Sequence, residues 1–234
     1  MFEVKSLDAF YGKSQALVDV SFQLSAGGFL AILGKNGMGK TTLLNSIVGG
    51  VKAKGSIRLD GYQLDEKRVD ERVKRGIGYV PQGRGIFPKF SVQENLAVGL
   101  FTERFESESL QSERLDFVFD LFPILKEFLS RKGGDLSGGQ QQQLAIGRAL
   151  MTNPKILLLD EPMEGIQPNI VEQIEQVLVR LNSELGLGIL LVEQNLEFLR
   201  RNADSFLILD RGHIVSKGEI GGFSSDLIDK YLTA

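Results

Sequence analysis

Several features that would direct the interpretation of this chain are missing from it. It contains no cysteine, which excludes a disulfide framework and a thiolate metal site. No run approaches the ~18 apolar residues of a membrane-spanning helix, and the first residues lack the apolar region of a secretory signal peptide. The net charge of −3 is not the basic excess typical of nucleic-acid binders. We therefore expect a cytosolic protein, soluble when isolated, with no nucleic-acid partner, which meets a membrane only through another protein.

The strand patterns fall into two kinds. Residues 17–24 alternate, with Val18, Val20, Phe22 and Leu24 on one side, which predicts a half-buried antiparallel strand. Residues 2–7 and 56–59 are predicted companions of that strand, the latter closed by a turn at Asp60-Gly61. Residues 29–33, 156–159 and 189–192 are apolar throughout, as in a parallel sheet covered on both faces by helices.

Apolar side chains at helical spacing predict two long helical segments. One covers residues 116–129, with a new turn starting at Pro123, and the other covers residues 170–185, with Gly186 as its C-cap. The apolar face of the second consists of Ile170, Val171, Ile174, Val177, Leu178, Leu181 and Leu185. Residues 102–113 are polar and charged, which indicates a solvated surface segment.

A glycine-rich stretch has the spacing of a phosphate-binding loop. It follows an apolar strand pattern and precedes a helical one, so backbone N–H groups and the positive end of a helix can face one anion. Lys40 is predicted to pair with the β- and γ-phosphates, and the Thr41 hydroxyl to ligate Mg²⁺. The predicted nucleotide-binding residues of this loop are Gly34, Lys35, Asn36, Gly37, Met38, Gly39, Lys40, Thr41 and Thr42.

Two carboxylates follow the apolar run at residues 156–159. Asp160 is placed to hold a hydrated Mg²⁺, and Glu161 to polarise the water that attacks in line. Alone this motif is weak, because buried strands often end in an acidic residue. Its position downstream of a phosphate loop, on a strand of the same type, favours the catalytic interpretation.

A second anion site is predicted where a serine and two glycines precede a helical pattern over residues 140–151. Its residues are Ser137, Gly138, Gly139 and Gln140. Two phosphate sites in one chain favour a two-fold dimer, in which the loop of one subunit faces the serine-glycine site of the other.

Taken together, these strings resemble an ATP-binding-cassette (ABC) nucleotide-binding subunit over nearly the whole chain. The Walker A motif corresponds to residues 34–42, the Q-loop to residues 78–82, the signature to residues 136–140 and Walker B to residues 156–161. The resemblance implies the following fold: an α/β P-loop NTPase with a RecA-like parallel-sheet core, an antiparallel β subdomain and an inserted α-helical subdomain near residues 83–150. All of this would form one nucleotide-binding domain over residues 1–234.

The resemblance also implies the ligands and further site residues. ATP and Mg²⁺ are the expected cofactors. Tyr11 stands where the family places an aromatic ring that stacks on adenine. Gln82 is implied to touch Mg²⁺ and the attacking water, and to couple the site to a transmembrane partner.

Within the family the chain is similar to the ATPase subunits of hydrophobic amino acid and urea importers. Residues 79–88, 134–144 and 160–168 resemble the urea type most. This implies a peripheral protein on the cytoplasmic face of the plasma membrane. Its partners would be two membrane-spanning permease subunits, a second ABC ATPase subunit (a related chain or another copy) and, indirectly, a periplasmic solute-binding protein.

The chain departs from the usual ABC pattern at two places. Gln194 stands where most members have a histidine that contacts the γ-phosphate; an amide can still donate a hydrogen bond there, but it carries no proton near neutral pH. The sole histidine, His213, precedes a strand and is interpreted as a surface residue. The D-loop, residues 163–167, lacks the usual aspartate, so its role between subunits is open.

Two other functions remain open on the sequence. One is a non-transport ABC ATPase of the DNA-repair, chromosome-structuring or translation type, although the chain has one cassette and no long inserted coiled coil. The other is an ATP-gated scaffold that dimerises with little turnover, because Gln194 replaces the histidine.

Overall fold

The computed structural model describes residues 1–100 and 107–233. In this part of the chain the ten strands are β1 (Phe2–Tyr11), β2 (Ser14–Leu24), β3 (Phe29–Leu33), β4 (Lys52–Leu59), β5 (Tyr62–Gln63), β6 (Ile77–Val80), β7 (Ile156–Asp160), β8 (Gly188–Val192), β9 (Ser205–Asp210) and β10 (His213–Glu219). The nine α-helices are α1 (Lys40–Val48), α2 (Val69–Lys74), α3 (Val92–Leu100), α4 (Glu108–Leu121), α5 (Pro123–Glu127), α6 (Gly138–Leu150), α7 (Pro168–Ser183), α8 (Leu196–Asn202) and α9 (Ser225–Tyr231).

The strands form two sheets of different kinds. One is antiparallel, in the order β2-β1-β4-β5. The other has the order β10-β9-β3-β8-β7-β6 and is parallel except for the edge strand β10. The parallel strands β3, β7 and β8 are buried at every position, as their continuous apolar runs predict. The predicted α/β P-loop fold is therefore confirmed.

The parallel sheet separates two hydrophobic cores. Leu30 and Ile32 of β3 face a core that includes α1 and the antiparallel sheet, whereas Ala31 and Leu33 face a core that includes α3, α6 and α7. This alternation follows from the period of two along a strand. Helices α1 and α6 consequently lie on opposite faces of the parallel sheet.

Helices α3, α4, α5 and α6 lie between β6 and β7 in the chain and pack on one another. They fall within residues 83–150, where the helical subdomain is expected; the bounds of that subdomain, and of a single domain over residues 1–234, stay predictions. In the part of the chain that the structure describes, no helix is both long and apolar enough to cross a bilayer.

Three details differ from the predicted pattern. Val18 is half-buried and Leu17 is buried instead, because Asp19 adopts a left-handed φ of 48° and the register with β1 shifts there. Leu185 is 56% exposed, because α7 ends at Ser183 before reaching it. The C-cap of α7 is Glu184 and not the predicted Gly186, which lies two residues further on in a left-handed conformation and donates to the Asn182 carbonyl at 3.0 Å.

The helix predicted from residue 116 begins earlier, at Glu108, where Ser107 caps it, and a new helix starts at Pro123 as predicted. Of the predicted surface segment 102–113, residues 102–106 lie outside the described residues, and residues 107–113 are mostly exposed.

Candidate active site

Four loops that are distant in sequence meet at one edge of the parallel sheet. Strands β3, β8, β7 and β6 are consecutive parallel neighbours, so their carboxyl ends lie side by side. The predicted phosphate loop follows β3, and Gln194 lies just after β8. Asp160 is the last residue of β7 and Glu161 follows it, while Gln82 lies just after β6. Ligands of open α/β sheets bind at this edge.

The phosphate loop leaves the start of α1 open toward an anion. Gly39 precedes the helix with a φ of 107°, and no side chain caps the first turn. The buried Lys40 bends back over the loop, and its Nζ donates to the carbonyl oxygens of Gly34 at 2.8 Å and Lys35 at 3.1 Å. First-turn N–H groups and a lysine ammonium together form the elements of a phosphate site.

Neighbouring turns brace the loop from behind. The N–H of Gly212, in the turn between β9 and β10, donates to the Met38 carbonyl at 3.0 Å, and the Val18 N–H donates to the Gly212 carbonyl at 2.9 Å. Strand β2, which carries Val18, is therefore tied to the loop. Tyr11 ends β1, next to the turn that leads into β2, and is 54% exposed.

Asp160 is buried and short of partners. It is 1% exposed, and neither of its carboxyl oxygens has a hydrogen-bond partner. Burial raises the pKa of the Asp160 carboxyl, and the charge of Glu161 raises it further. The nearby Thr41 hydroxyl and the Lys40 ammonium lower this pKa, although the Thr41 hydroxyl does not meet the geometry of a hydrogen bond. A buried carboxylate without partners is costly unless a cation accompanies it.

These residues fit a magnesium ion. Mg²⁺ is usually held by one or two protein oxygens and by substrate phosphates, not by a cage of carboxylates. The described residues contain no group of three or more histidine or acidic side chains arranged as metal ligands. The orphaned oxygens of Asp160, beside the Thr41 hydroxyl, match the smaller donor set.

Glu161 lies between the lysine and the glutamine. Its Oε1 is 3.7 Å from Lys40 Nζ, and its Oε2 accepts a 3.4 Å bond from Gln82 Nε2. Its backbone is left-handed, with a φ of 48°, and its N–H donates to the Val192 carbonyl of β8 at 2.9 Å. Left-handed conformations of non-glycine residues are uncommon and cluster at functional sites.

A buried glutamate supports the loop that carries Gln194. The Gln194 side chain is exposed, whereas Glu193 is buried and accepts backbone N–H groups from Gln194 at 2.7 Å and Met163 at 3.1 Å. Burial raises the pKa of Glu193 above its ordinary value. Glu193 therefore links the loop after β8 to the loop after β7.

The predicted second anion site begins α6. Ser137 and Gln140 form a capping box: the Ser137 hydroxyl accepts the Gln140 N–H at 3.4 Å, and Gln140 Oε1 accepts the Ser137 N–H at 3.0 Å. Because α6 and α1 lie on opposite faces of the sheet, the fold does not bring this site together with the phosphate loop of the same chain.

Two residues of the candidate site, Glu164 and Glu193, were not predicted from the sequence. Glu164 accepts a 3.0 Å bond from Gln82 Nε2, and Glu193 makes the contacts described above. Glu193 carried a usable signal, because it ends an apolar strand just as Asp160 does. Glu164 lies in the atypical D-loop, and its partner Gln82 is distant in sequence.

A phosphate loop, a buried carboxylate at the end of an adjacent parallel strand and a glutamate beside the lysine define a P-loop nucleotide-binding protein. Comparison with known proteins gives the family. The family model for "ABC transporter" matches residues 17–164. The chain therefore belongs to the ABC transporter family, and it is an ABC-type ATPase.

Individual relatives are similar over most of their length. The chain is 42% identical to the high-affinity branched-chain amino acid transport ATP-binding protein BraG of Pseudomonas aeruginosa, over 92% of this chain and 91% of BraG. It is 35% identical to the probable branched-chain amino acid transport ATP-binding protein LivF of Archaeoglobus fulgidus, covering 93% and 92%. Among solved structures, the ATP-binding cassette MJ0796, a post-hydrolysis dimer bound to ADP and Pi, superposes with a TM-score of 0.84 at 30% identity, covering 95% of this chain and 100% of that one.

Proposed function

We propose that this chain binds and hydrolyses ATP to energise an ABC importer, and that it works as half of an ATPase dimer. The observation that carries the proposal is the meeting of Lys40, Asp160, Glu161 and Gln82 at the carboxyl edge of the parallel sheet, with Gln194 on the adjoining loop.

Binding of the triphosphate uses groups that are already in place. Lys40 would exchange its loop carbonyl partners for the β- and γ-phosphates, joined by the first N–H groups of α1. Tyr11 would stack on adenine from the hairpin tip. Thr41, Asp160 and Gln82 would hold Mg²⁺, which supplies charge neutralisation on the phosphate oxygens.

Hydrolysis follows from positioning and charge. Glu161, held close to Lys40, would orient and polarise the attacking water. Gln194 would donate an amide hydrogen bond to a γ-phosphate oxygen, without a proton to transfer. Its loop is held by Glu193, so the amide is presented from a fixed backbone.

A dimer completes the site. Ser137, Gly138, Gly139 and Gln140 lie on the face of the sheet opposite to α1, so they would meet a nucleotide held by a second subunit. Arg84, which follows Gln82, donates to Gln141 of α6 at 3.2 Å and thereby links the Q-loop to the signature helix. The partner would be a related chain or another copy of this one.

The permease subunits would dock on an aromatic surface next to the Q-loop. Phe87 and Phe90 stack at 5.3 Å and are 42% and 44% exposed, and the Arg148 guanidinium lies 5.2 Å from the Phe87 ring. The buried Asn95 holds this loop by bonding both the N–H and the carbonyl of Phe87. A rigid, exposed aromatic pair is typical of interface anchors.

The solute is proposed to be a branched-chain or hydrophobic amino acid, because BraG and LivF carry branched-chain transport names. Urea is the second candidate, favoured by the resemblance of residues 79–88, 134–144 and 160–168 to the urea-type subunits. The subunit would lie on the cytoplasmic face of the plasma membrane, with a periplasmic solute-binding protein as an indirect partner.

The test is uptake of labelled leucine and labelled urea by a strain that lacks the chain. Wild-type complementation should restore uptake of one solute, whereas Lys40→Ala, which removes the phosphate contact, and Glu161→Gln should not. In purified complex, Glu161→Gln should bind ATP normally and hydrolyse it about 10² to 10⁴ times more slowly. Absence of turnover in the wild-type complex would favour the scaffold, and restored transport by Lys40→Ala would contradict the proposed site.

A further inference from the structure

The Gln82 side chain is held between two carboxylates. Its Nε2 donates to Glu164 Oε2 at 3.0 Å and to Glu161 Oε2 at 3.4 Å. A carboxylate only accepts hydrogen bonds, and in an amide only the NH₂ group donates them. The NH₂ end must therefore face the two glutamates, which leaves the amide oxygen directed away from both.

Of the two contacts, the one to Glu164 is the stronger. A length of 3.0 Å is ordinary for an N–H···O bond, whereas 3.4 Å is close to the limit. Glu164 is exposed, and the atom that accepts this bond is a carboxylate oxygen. A charged acceptor strengthens the hydrogen bond that it receives.

The backbone that carries Glu164 is itself held in place. The Glu164 N–H donates to the Glu161 carbonyl at 3.2 Å, which closes a turn. The preceding N–H, that of Met163, donates to the buried Glu193 at 3.1 Å. Glu164 is thus presented from a turn that is tied both to strand β7 and to the loop after β8.

We infer that Glu164 is a positioning residue, which fixes the orientation of the Gln82 amide so that its oxygen faces the metal and the phosphates. A free glutamine amide can present either end, and only the oxygen can ligate a cation. Glu164 also accepts the Gln82 amide hydrogen bond that Glu161 would otherwise accept alone. This leaves the Glu161 carboxylate for the attacking water. The inference rests on the proposed function, since it needs ATP and Mg²⁺ at this edge of the sheet.

The experiment measures the dependence of nucleotide binding on Mg²⁺. Binding of a fluorescent ATP analogue is followed during Mg²⁺ titration and in EDTA, for wild type, Glu164→Ala and the matched control Glu172→Ala, an exposed glutamate on α7. In EDTA all three should bind alike. With Mg²⁺, Glu164→Ala should need about tenfold more of the ion for its half-maximal effect, the size typical of losing a residue that orients a metal ligand, while the control matches wild type.

A double-mutant comparison separates orientation of Gln82 from a general charge effect. If Glu164 acts through Gln82, then adding Glu164→Ala to Gln82→Ala should leave the Mg²⁺ midpoint within twofold of Gln82→Ala alone. An unchanged midpoint in Glu164→Ala, with the fold intact by circular dichroism, would overturn the inference, and so would additive losses in the double mutant. Failure of the wild type to bind the analogue would instead count against the proposed function.

Discussion

The first glycine of the phosphate loop should be intolerant of any side chain. Gly34 adopts a φ of 143°, and a Cβ added there would collide with the carbonyl oxygen of Leu209 on β9. That oxygen belongs to a strand paired with β3, with Leu33 opposite Ile208. The collision cannot be relieved by a rotamer change, because it involves backbone and not a flexible side chain.

The expected cost of Gly34→Ala has two parts. A φ that suits only glycine costs about 1–3 kcal/mol, and overpacking against a fixed neighbour adds about 1–3 kcal/mol, so we expect a loss of roughly 4 kcal/mol. Gly37→Ala is the matched control in the same loop: its φ is 79° and nothing lies within 4 Å of the added Cβ. Only the left-handed conformation is then penalised, by about 1–2 kcal/mol.

The assay is urea unfolding of the nucleotide-free protein, followed by far-UV circular dichroism because the chain has no tryptophan. With an m-value of about 3 kcal/mol per molar urea, the Gly34→Ala midpoint should lie on the order of 1 M below that of Gly37→Ala. Equal midpoints for the two variants, or a lower midpoint for Gly37→Ala, would refute the steric argument.

Three further predictions concern other parts of the molecule. Tyr11→Ala should weaken binding of a fluorescent ATP analogue about tenfold or more, since stacking on a base is worth about 1–3 kcal/mol; full-strength binding would contradict the stacking role. Burial raises the pKa of Glu193 above 4.5, so the native state binds the proton more tightly than the unfolded chain does. The free energy of unfolding should therefore fall as pH rises through the folded-state pKa. Glu193→Gln should flatten this part of a stability-against-pH curve, and an unchanged curve would contradict the role of Glu193. The buried Arg72 donates to the carbonyl oxygens of Ser46 and Ile47 near the end of α1. Arg72→Met should cost about 3 kcal/mol by removing these charged hydrogen bonds, whereas Arg68→Met, at an exposed position, should cost less than about 0.5 kcal/mol in the same urea assay.

Elements that depend on local pattern were predictable from the sequence. The phosphate loop, the cap at Ser137 and the new helix at Pro123 each follow from residue types a few positions apart, and the structure has them where expected. The fully buried strands were also recognisable, because a strand covered on both faces is apolar at every position. Errors arose where one residue changes the local geometry, as at Asp19, which shifts the alternation of β2 from Val18 to Leu17.

The sequence by itself determined which groups are available to the proposed chemistry: a lysine and a helix start that we propose for phosphate, carboxylates that we propose for a metal and a water, and a glutamine in place of the usual histidine. Only the tertiary structure decided which of these groups meet. The strand order places β7 between β6 and β8, which brings Gln82 to Glu164 and Glu193 to Met163, while α6 lies on the face opposite to α1. The physical reason is that side-chain period reports which face of an element is buried, whereas the order of strands in a sheet depends on long-range pairing that no local pattern encodes.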